Sequence, residues 1–309
     1  MALFRFMLIV SLSLGAAGAT AAETLGPVER LLTLPDASTP RFSPDGTMIA
    51  FTLYGDSGIR LLENGTTRTL TDAPFSGWRF VWAPDSRSIV FRTRGDDLFR
   101  LYRVSISGNI EPLGPPAATI STPAFTGGVA QALVSGTASP MTIIEDTSHR
   151  GPLSFTAAID GIVYIWTGNA RRALTNGTET CFEPMRSPDG RWILYQSLTS
   201  GLHLVSADGT QRKAIGPGSD PSWLPDSRAV LFSKTDDDGH RITASDLFII
   251  SIEPYAQAIR LTSTPDRIER HPDCSPDLQA IVFDTQNGLE RMRLDLKTLL
   301  SSPAGEIRP

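Results

Sequence analysis

A six-bladed all-β propeller is the fold this sequence predicts. Three observations predict it. A short turn motif recurs along the chain, each copy leads into a second hairpin pattern, and the two chain ends carry complementary numbers of strands.

The turn comes first. Pro40 to Thr52 reads PRFSPDGTMIAFT, and variants follow as FVWAPDSRSIVFR, PMRSPDGRWILYQ, PSWLPDSRAVLFS and PDCSPDLQAIVFD. The turn prolines are Pro44, Pro84, Pro188, Pro225 and Pro276, at intervals of about 40, 104, 37 and 51 residues. The long interval calls for a decayed copy. TPAFTGGVAQALVS, from Thr122 to Ser135, supplies it, with Gly127-Gly128 in place of Pro-Asp. Proline presets φ for the first turn position, Asp bonds its own backbone, and Gly accepts positive φ. A β-branched and aromatic run such as Ile89-Val90-Phe91 follows each turn, so each copy reads as a hairpin.

A weaker hairpin comes after each strong one, for example IRLLENGTTRTLT (Ile59–Thr71) and LHLVSADGTQRKAI (Leu202–Ile215). Four strands per unit at this period indicate propeller blades. The last unit offers LERMRLDL (Leu289–Leu296) and then no fourth strand. VERLLTL (Val28–Leu34) resembles the missing one, so the N-terminal strand is expected to complete blade six and remove the free edges. Blade three has more chain than it needs between Ser135 and Ile162. That surplus is either an insertion or part of a seventh blade.

Composition narrows the function. Of 309 residues, 40% are hydrophobic and 20% charged, an ordinary globular balance. The net charge of −5 argues against nucleic acid as partner. A charged start, the apolar run Phe6–Leu14 and small residues to Ala22 read as a secretory signal peptide over 1–22, which places the mature protein in the periplasm or outside the cell. No later run is long enough to span a bilayer. The propeller is expected over 28–297 and a C-terminal tail over 298–309. Cys181 and Cys274 fall at different levels of non-adjacent repeats, which argues for two unpaired thiols.

The SPDG hairpins and L-x-x-L-T outer strands resemble the WD40-like repeats of TolB-type propellers over nearly the whole mature chain. The resemblance implies the fold, and by analogy an envelope-associated binding role. TolB carries a further domain before its propeller and the related prolyl peptidases a hydrolase domain beside it. Neither is expected here, because only about six residues separate the expected cleavage site from the first strand and about a dozen follow the last.

Local motifs offer little chemistry. GDSG (Gly55–Gly58) reads as a turn, because a nucleophilic Ser needs a base in reach. DDDG (Asp236–Gly239) lacks the alternate spacing of a calcium loop and reads as a solvated connection. The sequons at Asn64 and Asn176 read as turns. Of the histidines His149, His203, His240 and His271, none pair at metal-ligand spacing.

One set of positions stands apart. Just ahead of each first strand, in register, lie Thr39, Arg79, Thr122, Glu183, Asp220 and His271. Innermost strands surround a propeller axis, so these six residues are expected at one mouth of the channel, where ligands favour docking. Glu183 and Asp220 fall on neighbouring blades, and close carboxylates bind a cation or shift each other's pKa. The expected function is a non-catalytic protein- or peptide-binding module without cofactor or metal. The alternative is a propeller lyase or hydrolase using a metal or an acid/base pair at this ring.

Overall fold

The SPDG turn is built from its own side chains. In this computed structural model the Ser43 hydroxyl donates to Asp45 Oδ1 (2.6 Å) and accepts from the Met48 amide (3.0 Å). Asp45 Oδ1 also accepts from the Thr47 amide (3.0 Å). Ser187 with Asp189 and Ser275 with Asp277 repeat the arrangement. The fourth turn position is left-handed in all five copies: Gly46, Ser86, Gly190, Ser227 and Leu278 have φ of 75°, 61°, 74°, 64° and 64°. The two serines have a reason to stand there. Ser86 Oγ accepts from the Asp45 amide (3.0 Å) and Ser227 Oγ from the Asp189 amide (2.9 Å), so each ties its blade to the one before it.

The structure describes residues 25–55, 57–126, 128–134, 140–143, 154–168 and 170–301. The expected leader, residues 1–22, lies outside them, as does His149. The described strands are antiparallel neighbours within each sheet and form a closed β-propeller. Blade one comprises Ala37–Phe42, Ile49–Leu53, Ser57–Glu63 and Thr66–Thr71. Blade two comprises Val81–Trp82, Ser88–Gly95, Leu98–Ser105 and Ile110–Pro112. Blade four runs Cys181–Arg186, Trp192–Ser197, Gly201–Ser206 and Arg212–Gly216. Blade five runs Ser219–Trp223, Ala229–Asp237, Ile242–Ser251 and Ile259–Arg260.

Blade six closes as the sequence predicts. Glu269–Cys274, Ala280–Thr285 and Gly288–Leu294 receive Leu25–Thr33 as fourth strand, with Val28 opposite Met292 and Thr33 opposite Gly288. Leu31, Leu32 and Leu34 pack with Phe51 and Val282 where blades six and one meet. The expected tail begins instead as a short helix, Leu296–Ser301, whose Leu296 and Leu299 enter the core of blades five and six.

Blade three is where the six-bladed ring takes up the surplus chain that the sequence leaves open. Its place holds two three-stranded sheets, Ala124–Thr126 with Val129–Leu133 and Pro140–Ile143, and Ser154–Ile159 with Ile162–Thr167 and Ala170–Ala173. The VYIWTGNARRALT hairpin therefore belongs to a sheet of its own. The cause is a two-residue turn at Asp160-Gly161, φ 49° and 76°, which pairs Ile159 with Ile162 and makes Ser154–Ile159 a strand.

The core lies between blades. One aromatic per full blade, seven residues after the turn proline, is buried there: Phe51, Phe91, Tyr195, Phe232 and Phe283. Indoles stitch the inner rim, Trp82 Nε1 donating to the Arg41 carbonyl (3.2 Å) and Trp223 Nε1 to that of Met185 (3.1 Å). Both cysteines are buried and free, as expected.

Candidate functional site

The bulges that open the first strands create the site. In blades one, four, five and six the pairing slips by one residue, between Ser38 and Arg41, Phe182 and Met185, Ser219 and Ser222, and Arg270 and Asp273. The extra residue is left unpaired and its side chain is re-aimed. Those residues are Thr39, Glu183, Asp220 and His271. Arg79 holds the same place in blade two. All five have left-handed backbones, with φ between 49° and 53°. All five line one cavity of about 730 Å³ at the channel mouth. Thr122, the sixth expected member, does not. Its strand pairs from Ala124 to Thr126 without a slip, so nothing turns the residue inward, and its backbone is not left-handed.

Behind this ring lies a second one that the sequence reading missed. Eight residues after each turn proline stand Thr52, Arg92, Gln196, Ser233 and Asp284. Each directly follows the buried aromatic of its strand. The signal was available: a polar residue after Phe or Tyr in an otherwise apolar run. Three of the five support the bulge residue of their own blade. Gln196 Nε2 donates to Glu183 Oε2 (2.7 Å), Ser233 Oγ donates to Asp220 Oδ2 (2.9 Å), and Asp284 Oδ1 lies 2.8 Å from His271 Nδ1. Arg92 donates to the Ile120 carbonyl.

The charged residues of the bulge ring are paired. Arg79 of blade two reaches Glu183 of blade four. Arg270 grips Asp220 with two nitrogens, Nε at 2.9 Å and Nη2 at 3.2 Å. His271 Nε2 lies 3.3 Å from Asp220 Oδ1, so the ring sits between two carboxylates, Asp220 and Asp284. Burial alone would raise the Asp220 pKa, but His271 and Arg270 outweigh it and the carboxyl is lowered to about 2. Glu183 and Asp220 each have their own cation, Arg79 and Arg270. Deeper in, burial pushes Asp273 up to about 6, partly opposed by Arg41 and by the Phe42 amide at 2.8 Å. Burial likewise pulls Arg41 below the usual guanidinium value.

The rim is aromatic. Tyr54, in the turn between the second and third strands of blade one, is 83% exposed, and Trp78 is 42% exposed; both line the cavity. Among the described residues no three His, Cys, Asp or Glu side chains are placed to hold one metal ion. The Asp236–Gly239 stretch is only in part the connection expected, since Asp236 and Asp237 end the second strand of blade five and the Asp237 and Asp238 carboxylates accept from the Gly239, His240 and Arg241 amides of the turn. His203 meets Ser200 (Nε2 to Oγ, 2.7 Å), but Glu179 takes that hydroxyl (2.5 Å) rather than the ring, and neither residue lines the mouth.

No family model matches the sequence, and no curated protein does. Solved structures do. A chain of the mitotic checkpoint complex is similar at TM-score 0.57 and 14% identity, over 93% of this chain and 99% of that one. An oligogalacturonate lyase in complex with manganese is similar at TM-score 0.51 and 15% identity, over 91% and 96%. TolB from Acinetobacter baumannii is similar at TM-score 0.50 and 13% identity, over 84% of this chain and 63% of that one. At such identities these likenesses show the propeller fold and not the activity.

Proposed function

We propose that this chain is a periplasmic or secreted, non-catalytic binding module that takes a protein or peptide partner at the channel mouth. The observation that carries the reading is the combination of exposed aromatics, Tyr54 and Trp78, with bulge-residue charges, those of Arg79, Glu183, Asp220 and His271, already held by protein partners. Exposed aromatics on a rigid scaffold are the side chains that most often dominate binding energy. Paired charges give orientation without offering a free base. The compartment rests on the leader expected over 1–22.

The alternative, a lyase or hydrolase, needs a group free to take a proton. His271 is the natural candidate, yet both its nitrogens face carboxylates. A general base must reach the proton it removes.

The test is selection of displayed random peptides on the immobilised protein, followed by titration of the winners. The double variant Tyr54→Ala/Trp78→Ala is expected to bind them at least about 10-fold more weakly, as befits loss of hot-spot rings. Equal affinity for both proteins, or no peptide bound at all, removes the reading.

A further inference from the structure

We propose that Arg41 is a carboxylate-recognising group of the mouth, and that the segment docking there presents a carboxylate to it. This rests on the reading that a protein or peptide segment occupies the mouth.

Three arginines line the cavity: Arg41, Arg79 and Arg270. Two are spent, Arg79 on Glu183 and Arg270 on both oxygens of Asp220. Arg41 differs. Its protein hydrogen bonds all run through Nη1, to the backbone carbonyls of Pro40 (3.1 Å) and Pro272 (3.5 Å). The nearest carboxylate, Asp273, is 4.0 Å away, and its Oδ2 already accepts from the Phe42 amide. A guanidinium carries five N–H donors in a rigid fork. Among the described residues the Nε and Nη2 donors of Arg41 have no hydrogen-bond partner, and neither atom is sealed from solvent. The side chain is 22% exposed, so the fork is partly desolvated yet reachable.

A cation in that state selects its ligand. Arg–carboxylate contacts are often bidentate and stronger than neutral hydrogen bonds. The anchor is also preorganised, since Trp82 holds the Arg41 carbonyl at 3.2 Å and the bulge at Thr39 fixes the approach of the strand. The carboxylate can come from a chain terminus or from an Asp or Glu side chain. Recognition at Arg41 is the same in both cases.

Affinity selection with defined peptide pools tests this. One pool is acetylated random hexapeptides with free C-terminal acids. A second has amidated ends and includes Asp and Glu. A third is amidated and lacks both. The first or second pool is expected to be retained at least 10-fold over the third, about 1.4 kcal/mol. Enrichment confined to the first pool assigns a chain terminus; enrichment in the second assigns a side chain. Arg41→Gln should abolish the preference and Arg41→Lys, which keeps charge without the fork, should keep part of it. Equal retention of all three pools overturns the proposal, as does an undiminished preference in Arg41→Gln. If that variant does not fold, Arg41→Lys carries the test, and an unchanged preference there overturns it. Peptides that lose affinity in Tyr54→Ala/Trp78→Ala but ignore carboxylates would refute Arg41's role and leave the binding module intact. Retention of nothing would end both.

Discussion

Asp273 gives the fold a measurable pH signature. Its carboxyl lies where blade six meets blade one, 17% exposed, accepting from the Phe42 amide and 4.0 Å from Arg41. Burial outweighs those partners and lifts its pKa from 3.8 to about 6. The sign follows from proton counting. Between about pH 4 and 6 the folded chain holds a proton there that the unfolded chain has released, so this group's contribution to stability falls as pH rises through that window. A shift of roughly two units corresponds to about 3 kcal/mol. Asp273→Asn mimics the protonated form and can still accept from Phe42. At pH 7 the variant is expected to be more stable than the parent by up to about 3 kcal/mol, and at pH 4 nearly equal to it. For a chain of this size that is a gap in melting temperature on the order of 6 °C at pH 7, closing on acidification. The assay is thermal unfolding of both proteins at half-unit steps from pH 4 to 7. Taking the difference cancels the other carboxylates. A flat difference, or a variant less stable at pH 7, refutes the reasoning.

Two further outcomes test the architecture. A Cβ on Gly288, where φ is 128°, would stand 2.1 Å from the Leu32 carbonyl oxygen in the closing strand. Gly288→Ala should therefore cost at least about 2 kcal/mol, against about 1 for Gly65→Ala, whose left-handed site is open, and differential scanning calorimetry will separate them. Ser227→Ala loses the bond from Asp189 and keeps the strain, so it should destabilise by about 1 kcal/mol. Ser227→Gly loses the bond but relieves the left-handed backbone, so denaturant titration should find it the more stable of the two; the reverse order would mean that the serine is not strained.

Much of the fold was legible because the turn chemistry is local. Ser43, Asp45 and Gly46 each do within five residues what the turn requires, and a reader of the sequence sees all three. The closing strand was legible by subtraction, since blade six lacked a partner that Val28–Leu34 could supply. Blade three was not. Its decayed turn carries neither Pro nor Asp, and the signal that mattered, Asp160-Gly161 between apolar residues, marks a new hairpin rather than a continuation. The mouth was partly legible. Register alone brought Thr39, Arg79, Glu183, Asp220 and His271 together, but register also included Thr122, because the bulge that turns a residue inward is a property of pairing. Gln196, Ser233 and Asp284 stand out as polar residues after an aromatic, but which bulge residue each of them and Arg270 meets was hidden for the same reason. A sequence shows which side chains are polar, and only the slipped ladder shows which of them meet.

The bulges also explain why, among the described residues, the charged side chains of the mouth lie on one arc. A left-handed non-glycine residue costs of order 1–3 kcal/mol, and Thr39, being β-branched, is among the least tolerant. Five blades accept that cost at equivalent positions, whereas the two three-stranded sheets pair without it. Closure alone does not require the bulge, since those sheets fill their places in the same ring. What the bulge adds is direction. It sends a side chain toward the axis, and in blades four, five and six a strand neighbour is there to hold it. The charged floor is therefore concentrated on the arc from blade four through blade six to blades one and two, where Tyr54 and Trp78 also stand. A partner seated over that arc would meet both rings and the open fork of Arg41 from one direction.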